Sequence, residues 1–64
     1  MVLVNGEKVD AQGLTVLECL ERMKKNPTHV AVMINGEILP KTQYADSVIE
    51  DGNEVDIIGF VGGG

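Results

Sequence analysis

The chemistry-bearing residues of this chain are few, and most stand alone. Cys19 is the only cysteine and His29 the only histidine. Asp10, Asp46, Asp51 and Asp56 are too scattered to propose a carboxylate pair for acid–base work. A lone cysteine forms no internal disulfide and no four-thiolate metal or iron–sulfur site. His29 has no second ligand type clustered with it and reads as a surface or strand-start residue. Cys19 lies on the edge of an apolar helical stripe and reads as a small core residue. The remaining reactive candidate is the end of the chain, Gly62-Gly63-Gly64. At an average glycine usage of about 7%, three in a row at a chosen position arise by chance roughly a few times in ten thousand. The figure rises several-fold for this chain, which has 8 glycines in 64 residues, but stays small.

Glycines suit a tail that threads a narrow active site, because they carry no side chains and allow close backbone approach. The carboxylate of Gly64 is unreactive towards nucleophiles as it stands. Joined to AMP it becomes a mixed anhydride that a sulfur nucleophile can attack, giving a thiocarboxylate. Adenylation needs ATP, magnesium and positive groups around the phosphates. This sequence encodes none of them, so a partner must supply them. The chain is expected to bind no cofactor and no metal of its own.

Length and composition agree with that division of labour. At 64 residues there is room for one domain, and such a domain buries only ~60% of the surface its unfolded chain exposes. The net charge is −5, from 10 acidic and 5 basic residues. Its only basic cluster, Arg22, Lys24 and Lys25, lies close in sequence to Glu18 and Glu21. Nucleic acid therefore fits poorly as a partner, and a protein with a positive groove fits well. The N-terminus has no signal-peptide pattern, and no apolar run approaches the ~20 residues of a membrane span. With the single cysteine, this makes the cytoplasm the expected location.

The elements that must position the tail are legible in the turns. Asn5-Gly6 separates Val2-Leu3-Val4 from Glu7-Lys8-Val9, and Asn35-Gly36 separates Val30–Ile34 from Glu37-Ile38-Leu39. Asn-Gly between such runs signals a hairpin, because a type I′ turn needs φ > 0 at both central residues. Val4-Asn5-Gly6-Glu7 and Ile34-Asn35-Gly36-Glu37 are near copies. Between the hairpins, Thr15 and Glu18 fit a capping box, and Val16, Leu17, Cys19, Leu20 and Met23 form one apolar stripe. Lys24 and Lys25 are expected in the last helical turn, with Pro27 as the stop. Residues 41–50 read as a loop or short helical turn in which Tyr44 is an anchor. Asp51-Gly52 is a turn, and Val55, Ile57 and Ile58 begin a last strand running through Gly59 to Phe60 and Val61. Phe60 either caps the core or lies exposed with Val61 as a docking patch. The order predicts an α+β fold: a β-grasp whose last strand pairs centrally, and in parallel, with the first. Residues 1–61 would be the domain and residues 62–64 a flexible tail on a monomer.

Two hairpins around a helix, Asn35-Gly36-Glu37-Ile38-Leu39-Pro40-Lys41, the Asp51-Gly52 turn and an end of Phe60-Val61-Gly62-Gly63-Gly64 resemble, over the whole chain, the ubiquitin-like sulfur-carrier family of thiamine biosynthesis. The resemblance implies a carrier acted on by enzymes rather than an enzyme. A ubiquitin-activating-type, ThiF-like adenylyltransferase would adenylate Gly64 using MgATP. Sulfur from a persulfide, originating in a cysteine desulfurase, would convert it to the thiocarboxylate, and a ThiG-like thiazole synthase would take the sulfur. The family's terminal Gly-Gly is matched by Gly63 and Gly64. Asn53 departs from the pattern, standing where a second acidic residue is expected after Asp51-Gly52. The small subunit of molybdopterin synthase and a ubiquitin-like modifier share the glycine end, and a pure binding module with an incidental tail is a further alternative.

Overall fold

A computed structural model describes residues 1–59. Its elements are β1 (Val2–Val4), β2 (Glu7–Val9), α1 (Val16–Arg22), β3 (Val30–Ile34), β4 (Glu37–Leu39) and β5 (Glu54–Gly59), with 3-10 turns at Pro27–His29 and Lys41–Gln43. The five strands form one mixed sheet in the order β2-β1-β5-β3-β4. β1–β2 and β3–β4 are the two hairpins, and β5 lies between them, parallel to β1 and antiparallel to β3. This is the ubiquitin-like β-grasp, an α+β fold, and its last strand is central and parallel to the first as the order of elements predicts.

Both hairpins turn as their Asn-Gly pairs require. Asn5 and Gly6 have φ of 51° and 84°, and Asn35 and Gly36 have φ of 52° and 83°. Strand alternation then sends Val2, Val4, Val30, Val32, Val55 and Ile57 to one face of the sheet. There they pack with Val16, Cys19 and Leu20 of α1 and with Ala11, Tyr44 and Ile49. Leu17 and Met23 flank this core half-buried.

The helix begins as its capping box dictates. The Thr15 hydroxyl accepts from the Glu18 amide at 3.1 Å, and the Glu18 carboxylate accepts from the Thr15 amide at 2.9 Å. Residues 41–50 complete the job. The Val16 amide donates to the Ser47 carbonyl and the Leu17 amide to the Tyr44 carbonyl, each at 2.9 Å. The amides that helix geometry leaves open at this end are thus filled by the loop. The loop also bonds back through Gly13 to Ile49 and Ile49 to Leu14, so it is tied to the domain rather than free. Tyr44, buried at its centre, has its hydroxyl 3.5 Å from the Val30 carbonyl.

The other end of the helix corrects the sequence reading. Lys24 and Lys25 are not in the last turn, and Pro27 is not what stops it. The helix ends at Arg22, Met23 is the C-cap, and Lys24 adopts a left-handed φ of 58°. The Lys24 amide donates to the Glu21 carbonyl and the Lys25 amide to the Leu20 carbonyl. Those paired bonds are a Schellman motif, here built on a lysine at the position that usually holds glycine. The chain has already turned before it reaches Asn26, whose side chain caps the 3-10 turn that Pro27 opens.

Candidate functional site

The strand that leads to the chain's end is fixed from both sides by the same dipeptide. On the β1 side, the Asn5 amide donates to the Val55 carbonyl at 2.9 Å, and the Asn5 side-chain oxygen accepts from the Ile57 amide at 2.8 Å. On the β3 side, the Asn35 amide donates to the Glu54 carbonyl at 2.8 Å, and its side-chain oxygen accepts from the Glu54 amide at 2.9 Å. The left-handed turn takes each strand away from β5, and the asparagine side chain then stands in for the carbonyl that a longer strand would have offered. Gly at those positions would make the same turn but not this bond. Sequence reasoning assigned Asn5 and Asn35 to turns only. The signal for the second role was the repeat itself, since two copies of one tetrapeptide flank one strand.

At the base of β5, the Asn53 side chain accepts from the Glu50 amide at 2.8 Å, and the Asn53 amide donates to the Glu50 carbonyl. The side-chain oxygen that closes this turn is an amide one, so the departure at Asn53 costs the turn nothing. Asp51 pairs with the Met1 ammonium group, and that hydrogen bond holds its carboxyl below the usual carboxylate range. The Met1 carbonyl accepts from the Gly52 amide, so the start of β1 and the start of β5 are fastened together.

The sheet face away from the helix is open. Ile58 lies opposite Ala31, Asp56 opposite Met33, and Met33 opposite Ile38. Ile38 and Ile58 are 75% and 49% exposed. Ile58 therefore belongs to the last strand, as expected, but faces solvent, while Val55 and Ile57 face the core. Glu54 and Asp56 share this open face.

The expected site residues Phe60, Val61, Gly62, Gly63 and Gly64 lie outside the described residues. Cys19 is 3% exposed, and burial pushes its thiol pKa up, against the pull of Arg22. A neutral, buried thiol is a packing group and a poor nucleophile. His29 is exposed at the end of the 3-10 turn before β3. Among the described residues no three His, Cys, Asp or Glu side chains are grouped to hold a metal ion, and no helix is long and apolar enough to cross a membrane. The described residues thus present a central strand that runs to Gly59 and no grouped set of metal-holding side chains.

Comparison with known proteins gives a consistent result. A model of the ThiS family matches residues 1–64. The chain is 31% identical over 64 residues to the sulfur carrier protein ThiS of Escherichia coli, covering 98% of this chain and 97% of that one. It is 36% identical to a thiazole synthase of Paramagnetospirillum magneticum, covering 98% of this chain but only 20% of that protein. The crystal structure of the thiamine biosynthesis protein ThiS from Geobacter metallireducens superposes with a TM-score of 0.78 at 36% identity, covering 98% of this chain and 97% of the other.

Proposed function

The chain belongs to the ThiS family, and from that premise we propose that it carries sulfur for thiamine biosynthesis on the carboxylate of Gly64. A ThiF-like adenylyltransferase, using MgATP, joins AMP to that carboxylate and releases pyrophosphate. The terminal sulfur of a partner's persulfide then attacks the carbonyl and displaces AMP, giving an acyl disulfide. A partner thiol cleaves its S–S bond, leaving a disulfide on the partner and releasing the thiocarboxylate, which donates sulfur to thiazole synthase. The carrier supplies the shape and its partners supply the catalysis.

The observation that carries this reading is the family match over residues 1–64, which includes the three glycines. The fold supports it physically. β5 is the central strand and is pinned at Val55, Ile57 and Glu54, so the segment that follows Gly59 starts from a fixed point. A mobile start would have to be ordered on docking, at a cost of about 1–2 kcal/mol per backbone residue. The Paramagnetospirillum relative, in which a fifth of a protein named thiazole synthase resembles this chain, favours thiazole synthase as the acceptor over the molybdopterin alternative. The buried free thiol of Cys19 is compatible with a reducing, cytoplasmic setting.

Intact-protein mass spectrometry tests the reading. With the adenylyltransferase, MgATP and a sulfur source, the chain gains the mass difference between one sulfur and one oxygen. Gly64→Val leaves the fold unchanged, and its Cβ and branches block adenylation, because close approach of the backbone to the nucleotide is what glycine allows. Activation of Gly64→Val at the parent rate would remove the tail as the reactive element.

A further inference from the structure

β5 is a central strand for only part of its length. Leu3 and Val4 of β1 pair with Glu54 and Val55, whereas β3 pairs with β5 as far as Gly59. β1 stops because the chain turns back at Asn5-Gly6. The odd-numbered residues of β5 turn their backbone groups to the β1 side: the Val55 carbonyl accepts from Asn5, and the Ile57 amide donates to the Asn5 side chain. Beyond that bond, the Ile57 carbonyl and the Gly59 amide face the side β1 has left. No described residue hydrogen-bonds to either. An acceptor and a donor on either side of one residue are the pair that an added strand engages. Gly59, at the end of that edge, is exposed.

We propose that the free edge Ile57–Gly59 takes up an extended, basic segment of the protein that receives the tail, added to the sheet as a strand beside β5. The inference rests on the carrier reading above, in which the residues after Gly59 enter a partner's active site. A strand laid on this edge runs alongside the root of the tail, and its two hydrogen bonds set the direction in which the tail leaves the sheet. Affinity in such strand addition comes from the main chain. The charge of the segment follows from its surroundings. Glu54 and Asp56 on β5 and Glu7 at the adjoining hairpin are exposed acids, against one exposed base there, Lys8, and neither β1 nor β5 carries a basic residue. Other occupants fit less well. Two copies joined through three-residue edges fall far short of the roughly 800 Å² per partner of a stable interface. A return of the chain's own last residues to this edge through a two-residue turn would need φ > 0 at Phe60, and at Val61 as well in a type I′ turn, which bulky and β-branched residues resist.

The chain is short enough for total synthesis, so the Gly59 amide can be replaced by an ester oxygen, deleting that one donor. Amide hydrogen exchange is measured on the parent chain, free and bound to the ThiF-like adenylyltransferase with MgATP or to thiazole synthase. The Ile57 amide, already bonded to Asn5, is the internal reference. The expected result is a Gly59 amide that exchanges freely in the free chain and is protected in at least one complex. There the ester variant binds about threefold to tenfold more weakly, with a denaturation midpoint confirming that it is folded. A Gly59 amide that stays unprotected in both complexes while adenylation proceeds overturns the strand addition and leaves the carrier reading standing. That outcome needs only the parent chain, so it holds even if the ester variant does not fold. Protection that appears in the free chain as its concentration rises assigns the edge to a second copy and also overturns the proposal. A parent chain that binds neither protein and is not adenylated takes down the carrier reading, and this inference with it.

Discussion

Replacing Asn5 by glycine isolates what its side chain contributes to the central strand. Glycine takes up the left-handed φ of 51° without strain, so the turn survives and the 2.8 Å bond to the Ile57 amide is lost. Ile57 is 8% exposed and its amide's bond to Asn5 is part-buried, so water replaces that bond only in part. Leaving a part-buried donor unsatisfied costs about 1–2 kcal/mol, the lower part of the range for a buried one, and the extra freedom of glycine in the unfolded chain adds about 0.5–1 kcal/mol. Together these give about 1.5–3 kcal/mol, a large part of the 5–15 kcal/mol typical of folded domains, and this domain is small. Asn35→Gly is the matched comparison. It makes the same change in a turn of the same φ, but the Glu54 amide it releases is exposed and passes to water, so the cost is about 0.5–1 kcal/mol, mostly the glycine term. Asn5→Asp retains an acceptor oxygen and tolerates the left-handed region, and should stay within about 1 kcal/mol of the parent. Urea denaturation at constant slope reads all three as shifts in midpoint. If Asn5→Gly and Asn35→Gly shift the midpoint equally, the side chain of Asn5 does not hold β5, and the account of how the tail's root is fixed is wrong.

Lys24→Gly should stabilise the domain by about 0.5–1 kcal/mol, because it relieves a left-handed lysine worth 1–2 kcal/mol and gives back part of that in unfolded-chain entropy; thermal unfolding should rise by a few degrees, and a fall would refute the Schellman ending. Cys19→Ala should cost about 1 kcal/mol through lost burial and leave thiocarboxylate formation intact in the mass-spectrometric assay. With its pKa raised by burial, the Cys19 thiol should resist alkylation at neutral pH until the domain is unfolded, and prompt labelling of the native chain would contradict its burial. The Glu18 carboxyl is held below its ordinary 4.5 by the Thr15 backbone and side-chain bonds. A depressed carboxylate contributes stability above its unfolded pKa and loses it as pH falls through the folded one. The urea midpoint of the parent should therefore drop as pH falls below about 4.5, and Thr15→Ala, which also loses about 1 kcal/mol of cap, should show a shallower drop.

The fold was legible because its turns are specified locally. Asn-Gly pairs allow only the tight hairpins found, and the capping box places the first helical turn without reference to the rest of the molecule. The helix end was misplaced because lysine gives no sign of a left-handed conformation. Its φ of 58° is imposed by the two carbonyls that its own amide and that of Lys25 satisfy. Residues 41–50 were legible only as irregular, since their order comes from bonds to the amides of α1 and to the segment before it, partners no local pattern announces. Ile58 and Ile57 are adjacent and chemically identical, and only the register with β3 decides that one meets solvent and the other the core.

A carrier of this kind has a peculiar structural problem, and the two asparagines bear on it. In the proposed function the cargo sits on a segment that enters another protein, so little of the binding site can be built from the carrier's own core. What the core can do is fix where that segment begins. A strand at the sheet edge would begin it loosely, because one of its sides has no ladder. A fully flanked central strand would begin it rigidly but leave no backbone groups for a partner. β5 does neither throughout. It is flanked on both sides up to Val55, held on the β1 side by one side-chain oxygen at Ile57, and flanked on one side only at Gly59. Asn5 marks the changeover, since its side chain satisfies the last amide that the shortened β1 cannot reach. Lengthening β1 by moving the Asn-Gly turn two residues later would cover the Ile57 carbonyl and the Gly59 amide with the chain's own backbone. Such a variant should be more stable than the parent, by about 1 kcal/mol per added ladder bond, and bind its partner less well. Greater stability with unchanged partner affinity would show that the free edge is incidental to the strand's role.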